Sequence, residues 1–366
     1  MILYDSSLDM NFRNYGIMLP ILDSRAGRVI RELERTGSGA FPVYTLDKAR
    51  QAAERIAGES PPPIGREDLE RVHERVFVSR LYNDGSGGLE RELITAYELV
   101  DREGRYNRYE PEKADRPLAE LFATILRQVE GTYLACRMAL EQSSEPGFCF
   151  YLGGGMHHAR YDSGAGFCLI NDSIISVRRL QNEGRAPLVW IIDIDAHKGD
   201  GTAEVVTFSR RRGETFTDRA PAILTLSVHM GKGWPLDTET LSVSDSGRAP
   251  LLPSDIDGLM EENEEALYLP RLREGLSRLE EMSGNRKADL AVVVDGADPY
   301  EHDGLASSAL IRLTLEQCTA RDMLIYSFLR ERNIPSAWLM AGGYGERAWE
   351  PPAAFLRNLA TGTDNQ

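Results

Sequence analysis

Asp193, Asp195, His197 and Asp200 fall within one short run, Asp193-Ile-Asp-Ala-His-Lys-Gly-Asp-Gly-Thr202, directly after the apolar stretch Leu188–Ile192. Such a stretch reads as a buried β-strand, which here delivers carboxylates and an imidazole at its end. Asp195 and His197 are two residues apart, so on an extended chain both point to the same face. A carboxylate and an imidazole aimed into one cleft begin a site for a hard-to-borderline divalent metal. A working site then needs a third ligand and acid–base groups from elsewhere in the chain.

Other apolar runs end in the same way. Leu152 is followed by three glycines and Met156-His157-His158, Leu226 by Ser227-Val-His229, Val294 by Asp295-Gly-Ala-Asp298, and Met340 by Ala-Gly-Gly-Tyr344. Six histidines occur in the chain, and His157, His158 and His197 all stand at such ends. Adjacent histidines after glycines that let the backbone approach a ligand put two titratable rings in one cleft. Asp298, followed by Pro299, fits a turn when read alone. Beside Asp195 and His197 it completes an Asp–His–Asp set that leaves metal positions open, the layout of a catalytic site. Tyr344 is either an amphipathic packing residue or a phenol that donates to an oxyanion.

The elements that must position these groups alternate between short β-rich runs and long helical patterns. Strands are expected near Ile2–Tyr4, Phe41–Tyr44, Gly147–Leu152, Leu188–Ile194, Ala222–Val228, Leu290–Asp295 and Ser336–Met340. Helices are expected over Leu118–Glu141, Ile170–Asn182, Ile256–Glu281 and Thr314–Glu331. This alternation predicts an α/β fold, a three-layer helix-sheet-helix sandwich with a mostly parallel central sheet. Functional groups in such folds gather beyond the carboxyl ends of the strands. No repeat or linker divides the chain, so residues 1–366 read as a single domain, with 58–115 forming capping loops and helices.

Composition narrows the partners. The chain is 42% hydrophobic and 27% charged, as in an ordinary globular protein, with a net charge of −15. That field disfavours nucleic acid and anionic membrane and suits Lys-rich peptides or amines. The acidic stretches Leu89–Asp101 and Glu261–Glu265 read as solvated helix faces or as part of a cleft mouth. No signal peptide is expected, and no apolar run reaches the roughly 20 residues of a membrane span. Four scattered cysteines without a CxxC pair suggest reduced thiols in a cytoplasmic protein. A homo-oligomer is left open.

Five segments, in order, resemble the zinc-dependent histone deacetylase family. They are Gly153-Gly-Gly-Met-His157-His158-Ala159, Gly166-Phe167-Cys168-Leu-Ile-Asn171-Asp172, Asp193 to Gly201, Gly296-Ala-Asp298 through Asp303-Gly-Leu305, and Gly342-Gly-Tyr344. That superfamily includes acetylpolyamine amidohydrolases and shares its fold with arginase. The resemblance implies a hydrolase that removes an acetyl or other short acyl group from an acylated lysine side chain or a small amine such as a polyamine. It assigns Zn²⁺ (or Fe²⁺) to Asp195, His197 and Asp298. His158, bonded to Asp200, becomes general base and acid for a metal-activated water. His157, paired with Asp193, is an electrostatic partner, and Tyr344 polarises the carbonyl. Phe167 would line a tunnel for the acyl-lysine stem, the Gly166 carbonyl would accept the substrate N–H, and Leu305 would sit at the rim. Asp193, Asp195, His197, Ser227 and Val228 would hold a monovalent cation, K⁺.

Departures from the pattern bear on the substrate. Lys198 replaces a frequent second histidine, and His302, Gly304 and Ala306 alter the rim. The family's second tunnel phenylalanine is missing, with Trp234 or Met230 as substitutes. Two other functions compete. A binuclear manganese ureohydrolase needs a bridging carboxylate two residues after the histidine, where this chain has Gly199. A non-catalytic acyl-lysine binder typically lacks the tyrosine, a ligand or a histidine, and this chain keeps them all.

Overall fold

The apolar runs form one sheet, and its strands in chain order are β1 (Ile2–Leu3), β2 (Val43–Tyr44), β3 (Phe148–Tyr151), β4 (Val189–Asp193), β5 (Ile223–Met230), β6 (Ile256–Met260), β7 (Leu290–Asp295) and β8 (Ser336–Met340). All pair in parallel, in the spatial order β2-β1-β3-β8-β7-β4-β5-β6. The computed structural model describes residues 1–362 apart from 23, 38–40, 59, 84–86, 102, 143–145, 213–222, 238–250 and 285. Ala222, expected to open a strand, lies outside the described residues.

The helices are α1 (Arg25–Arg35), α2 (Leu46–Ala57), α3 (Arg66–Glu70), α4 (Arg75–Tyr82), α5 (Gly88–Ala96), α6 (Leu121–Leu140), α7 (Asp172–Asn182), α8 (Asp200–Arg211), α9 (Tyr268–Met282), α10 (Leu315–Glu331) and α11 (Glu350–Thr361). They cover both faces of the sheet, and the period-2 alternation of each strand divides the core accordingly. Val189 and Ile191 of β4 pack with residues of α6 and α7, whereas Trp190 and Ile192 pack with residues of α9, α10 and α11. The expected three-layer sandwich is therefore present. Its sheet is parallel throughout, so every carboxyl end lies on one edge.

One expected element is corrected. The stretch Ile256–Glu281 is not one helix: it opens with β6, and α9 starts only at Tyr268. Ile256 and Met260 are the buried positions of that strand. Four residues apart, they match one face of a helix as well as one face of a strand. β6 pairs with β5 alone, and an edge strand buries too little to show a clean alternation. The β1 and β2 strands are also shorter than expected.

Among the described residues no helix is long and apolar enough to cross a membrane. The 58–115 region contributes α3, α4 and α5, and its Ala96 carbonyl accepts the Phe167 N–H at 2.9 Å. His73 ties this region to the site loops. Its Nδ1 lies 2.8 Å from the Arg160 carbonyl, and its Nε2 accepts from the Asn171 N–H at 3.0 Å. These contacts assign the neutral Nδ1–H tautomer, and burial pulls the ring down to about 4. The unfolded chain therefore binds more protons between pH 6.5 and 4, so His73 costs stability as pH falls through that window. The slope is about 1.4 kcal/mol per pH unit. Urea unfolding followed against pH shows a shallower slope in His73→Gln; an unchanged slope contradicts the assignment.

Candidate active site

The carboxyl ends of β3, β4, β5, β7 and β8 supply every group singled out above. After β4 the chain folds over its own carboxylates: Asp193 Oδ1 accepts the Asp195 N–H at 3.2 Å, and Asp195 Oδ1 the His197 N–H at 3.0 Å. Neighbouring strand ends are stitched to this turn. Asp298 Oδ1, after β7, accepts the Ala196 N–H at 2.9 Å. Asp195 Oδ2 accepts the Gly342 N–H, after β8, at 3.0 Å. Asp195 and Asp298 each hold a second loop in place.

Their inward sides converge on one imidazole. His197 Nδ1 stands 2.8 Å from Asp298 Oδ2 and 3.2 Å from Asp195 Oδ1. One donor atom from each of the three residues lies within 4.8 Å of the others, and all three are buried. Burial and then the Asp195 charge raise the Asp298 carboxyl to about 7. Burial opposes ionisation of Asp195, yet His157 and His197 outweigh it and hold that carboxyl far below its usual range. Two buried carboxylates around one ring nitrogen are a donor set that a divalent cation fits, neutralising both acids while the ring coordinates uncharged. The predicted trio is thus brought together.

Asp172 positions the glycine-rich loop before the histidine pair, accepting the Gly155 N–H at 2.9 Å, the Met156 N–H at 2.6 Å and the Thr132 hydroxyl at 2.6 Å. The two imidazoles then lie with centroids 3.9 Å apart. His157 Nδ1 meets Asp193 Oδ2 at 2.7 Å, and His158 Nδ1 meets Asp200 Oδ1 at 2.8 Å. The two rings are driven apart in protonation. Burial disfavours charge on His157, but Asp193 and Asp195 overcome it and raise the ring to about 9. Burial and then the neighbouring His157 charge lower His158 to about 4, against the pull of Asp200, whose other oxygen accepts from Arg160 at 2.8 Å. Arg160 was missed in the sequence, although it stands two residues after His158 in an extended loop.

Tyr344 is held from behind. Asp303 Oδ2 accepts the Tyr344 N–H at 2.7 Å, and Asp303 Oδ1 the Leu305 N–H at 2.8 Å, so one carboxylate places both. Burial and then the Asp298 and Asp195 charges push the phenol well above 10, keeping it a donor. Phe167, Gly166, Trp234, Leu305 and Tyr344 line a cavity of about 430 Å³ that opens beside His158 and His197. Trp234, rather than a second phenylalanine, lines the cavity with Phe167, its ring 4.5 Å from His158 and 5.6 Å from His197 between centroids. Gly166 makes room for it: a Cβ there would stand 2.3 Å from Trp234 Cη2. Met230 also lines this cavity. At the mouth Glu98 pairs with Arg108 at 3.2 Å, and Arg108 lies 5.5 Å from the Phe167 ring centroid. The Leu89–Asp101 stretch thus reaches the mouth at Glu98.

Register places Asp193 beside Ser227 across β4 and β5, with Val228 next in line. The Ser227 hydroxyl lies 3.0 Å from His229 Nδ1. Lys198 turns away from this group, its ammonium 2.7 Å from Asp257 Oδ1 on β6. The partner of this otherwise unexplained lysine sits on the one strand that periodicity missed. Gly199 has a steric reason as well: a Cβ there would stand 2.2 Å from Asp193 Oδ2. A bridging carboxylate at that position would displace the acid that orients His157. Gly199→Ala is accordingly expected to lose about 1–3 kcal/mol in denaturant unfolding, and wild-type stability would refute the packing argument.

Comparison with known proteins agrees with this geometry. The histone deacetylase domain matches residues 24–354. Histone deacetylase 2 of Arabidopsis thaliana is 25% identical over 98% of this chain and 78% of its own length. An uncharacterized protein of Picosynechococcus is 31% identical over 60% of this chain and 63% of its own. The acetoin utilization protein AcuC of Bacillus subtilis is 27% identical over 81% of this chain and 69% of its own. An acetylpolyamine aminohydrolase from Burkholderia pseudomallei shares the fold, with a TM-score of 0.64 at 18% identity over 99% of this chain and 98% of its own. The site therefore sits on the matched domain, and the chain belongs to the histone deacetylase family.

Proposed function

We propose that the chain is a metal-dependent amidohydrolase that removes an acetyl or other short acyl group from an acylated lysine side chain. The observation that carries this reading is the meeting of three parts at the end of one aromatic-walled cavity. These are the Asp195–His197–Asp298 set, two oppositely tuned His–Asp pairs, and Tyr344.

A divalent ion, Zn²⁺ or Fe²⁺, held by Asp195, His197 and Asp298 would supply Lewis acidity toward an amide carbonyl and a water. The protein does the rest. His158 is uncharged at neutral pH, so the nitrogen opposite its Asp200 bond takes the proton from the attacking water. The same nitrogen then returns that proton to the leaving amine. Asp200 keeps the ring in the tautomer this requires. His157, kept charged by the Asp193 carboxylate bonded to it, places positive charge where negative charge develops on the carbonyl oxygen. Tyr344 donates its phenolic hydrogen to that same oxygen. Phe167 and Trp234 flank an unbranched apolar stem, the Gly166 carbonyl orients the substrate N–H, and Leu305 forms the rim. Asp193, Asp195, His197, Ser227 and Val228 would hold K⁺ beside the metal.

The residues form one catalytic domain, with 58–115 as its cap. Four buried free cysteines suit a reducing, cytoplasmic setting. Hydrolysis of acetyl-lysine peptides, acetylated polyamines and longer acyl-lysines by the zinc-loaded protein tests the reading, with Tyr344→Phe as control. Peptide turnover in the wild type and its loss in the variant are expected. Exclusive turnover of polyamines moves the substrate to small amines, and no turnover of any of them by the loaded wild type overturns the enzyme assignment.

A further inference from the structure

Arg321 lies in the middle of α10, whose Cys318, Ile325 and Leu329 pack on the sheet face that Trp190 and Ile192 line, and its side chain is fully buried. Burying a guanidinium is costly unless every donor finds a partner. Here the partners are unusual in where they sit. A single nitrogen, Nη1, donates both to the Ile194 carbonyl at 3.0 Å and to the Gly296 carbonyl at 2.9 Å. Nη2 donates to Asp295 Oδ1 and Nε to Asp322 Oδ1, each at 2.7 Å. Ile194 lies between Asp193 and Asp195, and Gly296 between Asp295 and Asp298. One planar group therefore joins the two backbone turns that present Asp195 and Asp298.

We infer that Arg321 is a positioning residue that sets the separation of the Asp195 and Asp298 ligand turns, so that divalent-metal affinity depends on it although it touches no ligand side chain. This inference rests on the metal reading proposed above. The strands before the two turns are joined by the Ile194 N–H bond to the Val294 carbonyl at 3.1 Å, ahead of both ligands. Past that point the Asp298 bond to the Ala196 N–H joins the turns through a ligand carboxylate, and the Asp195 bond to the Gly342 N–H ties its turn to the loop after β8. Bonds made by the carboxylates cannot brace them independently of their own position. Arg321 can, because its anchor lies in a helix whose apolar residues pack on the sheet. A lysine could not replace it: an ammonium on a flexible stem lacks the planar fork that reaches two carbonyls and a carboxylate at once.

The test is Co²⁺ titration of the metal-free protein against a competing chelator, read by the visible ligand-field absorption and independent of any substrate. Arg321→Lys is expected to bind Co²⁺ about 10–100-fold more weakly than wild type, as for groups that orient metal ligands from outside, with an altered absorption band. Asp295→Asn is isosteric and keeps the fold should Arg321→Lys not. It loosens the Nη2 anchor and is expected to weaken binding about 3–10-fold, the low end of such effects. Ile325→Ala, one turn further along α10 and in the same core, controls for destabilisation and is expected to bind with wild-type affinity. Wild-type affinity and spectrum in folded Arg321→Lys or Asp295→Asn overturn the inference. So does an equal loss in Ile325→Ala, which would make the effect one of general stability. A wild-type chain that binds no divalent ion overturns the metal reading and this inference together.

Discussion

Asp298→Asn is expected to lower kcat/KM by at least about 10³ and to leave the protein with substoichiometric metal after loading. The choice of asparagine matters. Asp298 Oδ1 accepts the Ala196 N–H, and an amide oxygen can keep that bond, so the β4 turn is retained while the charge on the inner side is lost. Lewis-acid stabilisation amounts to several kcal/mol, and about 4 kcal/mol is already 10³ in rate. A neutral amide is also a poor ligand for a borderline cation. Metal content by atomic spectroscopy and turnover on one preparation decide the matter. Dialysis of the wild type against a chelator is expected to remove activity, and added Zn²⁺ to restore it. Full metal occupancy and undiminished turnover in Asp298→Asn would remove this residue from the ligand set.

The second large effect is at Tyr344. Replacing it with phenylalanine keeps the ring that packs 6.2 Å from Phe167 between centroids and deletes only the donor. Loss of one oxyanion donor costs about 10²–10³ in kcat, or about 2.7–4 kcal/mol. The loss falls on kcat with KM little changed, because the bond strengthens only as charge develops on the oxygen. Burial holds the phenol protonated well above 10, so the deficit is constant across neutral pH rather than confined to one limb of the profile. A loss of less than about tenfold, or one that appears only in KM, would make Tyr344 a packing residue.

Much of the site was legible because it is local. Asp195 and His197 share a face by strand geometry alone, His157-His158 follow glycines, and the five segments resembling one family lie in order. The layered α/β architecture was legible for the same reason, from apolar runs alternating with helical patterns. One failure was also local in origin. Ile256 and Met260 fit both periods, so β6 was hidden, and with it Asp257, the partner that explains Lys198. Arg160 and Asp303 act on His158's partner and on Tyr344 through bonds whose donors and acceptors are far apart in sequence.

Residue types and spacing by themselves determined which groups end up on the carboxyl edge of the sheet, since every strand-end motif must lie there once the strands are parallel. Only the tertiary structure decided which of those groups meet. Asp298 and Tyr344 reach Asp195 because β7 lies beside β4 and β8 next beyond it in the strand order, while Ser227 faces Asp193 because β5 lies on the other side. Strand order is set by how helices cover two sheet faces, a balance of packing across the whole molecule that no local window contains. The same holds for Arg321. Its place in α10 reads as an ordinary helical arginine, and only the fold carries its guanidinium to the carbonyls of Ile194 and Gly296.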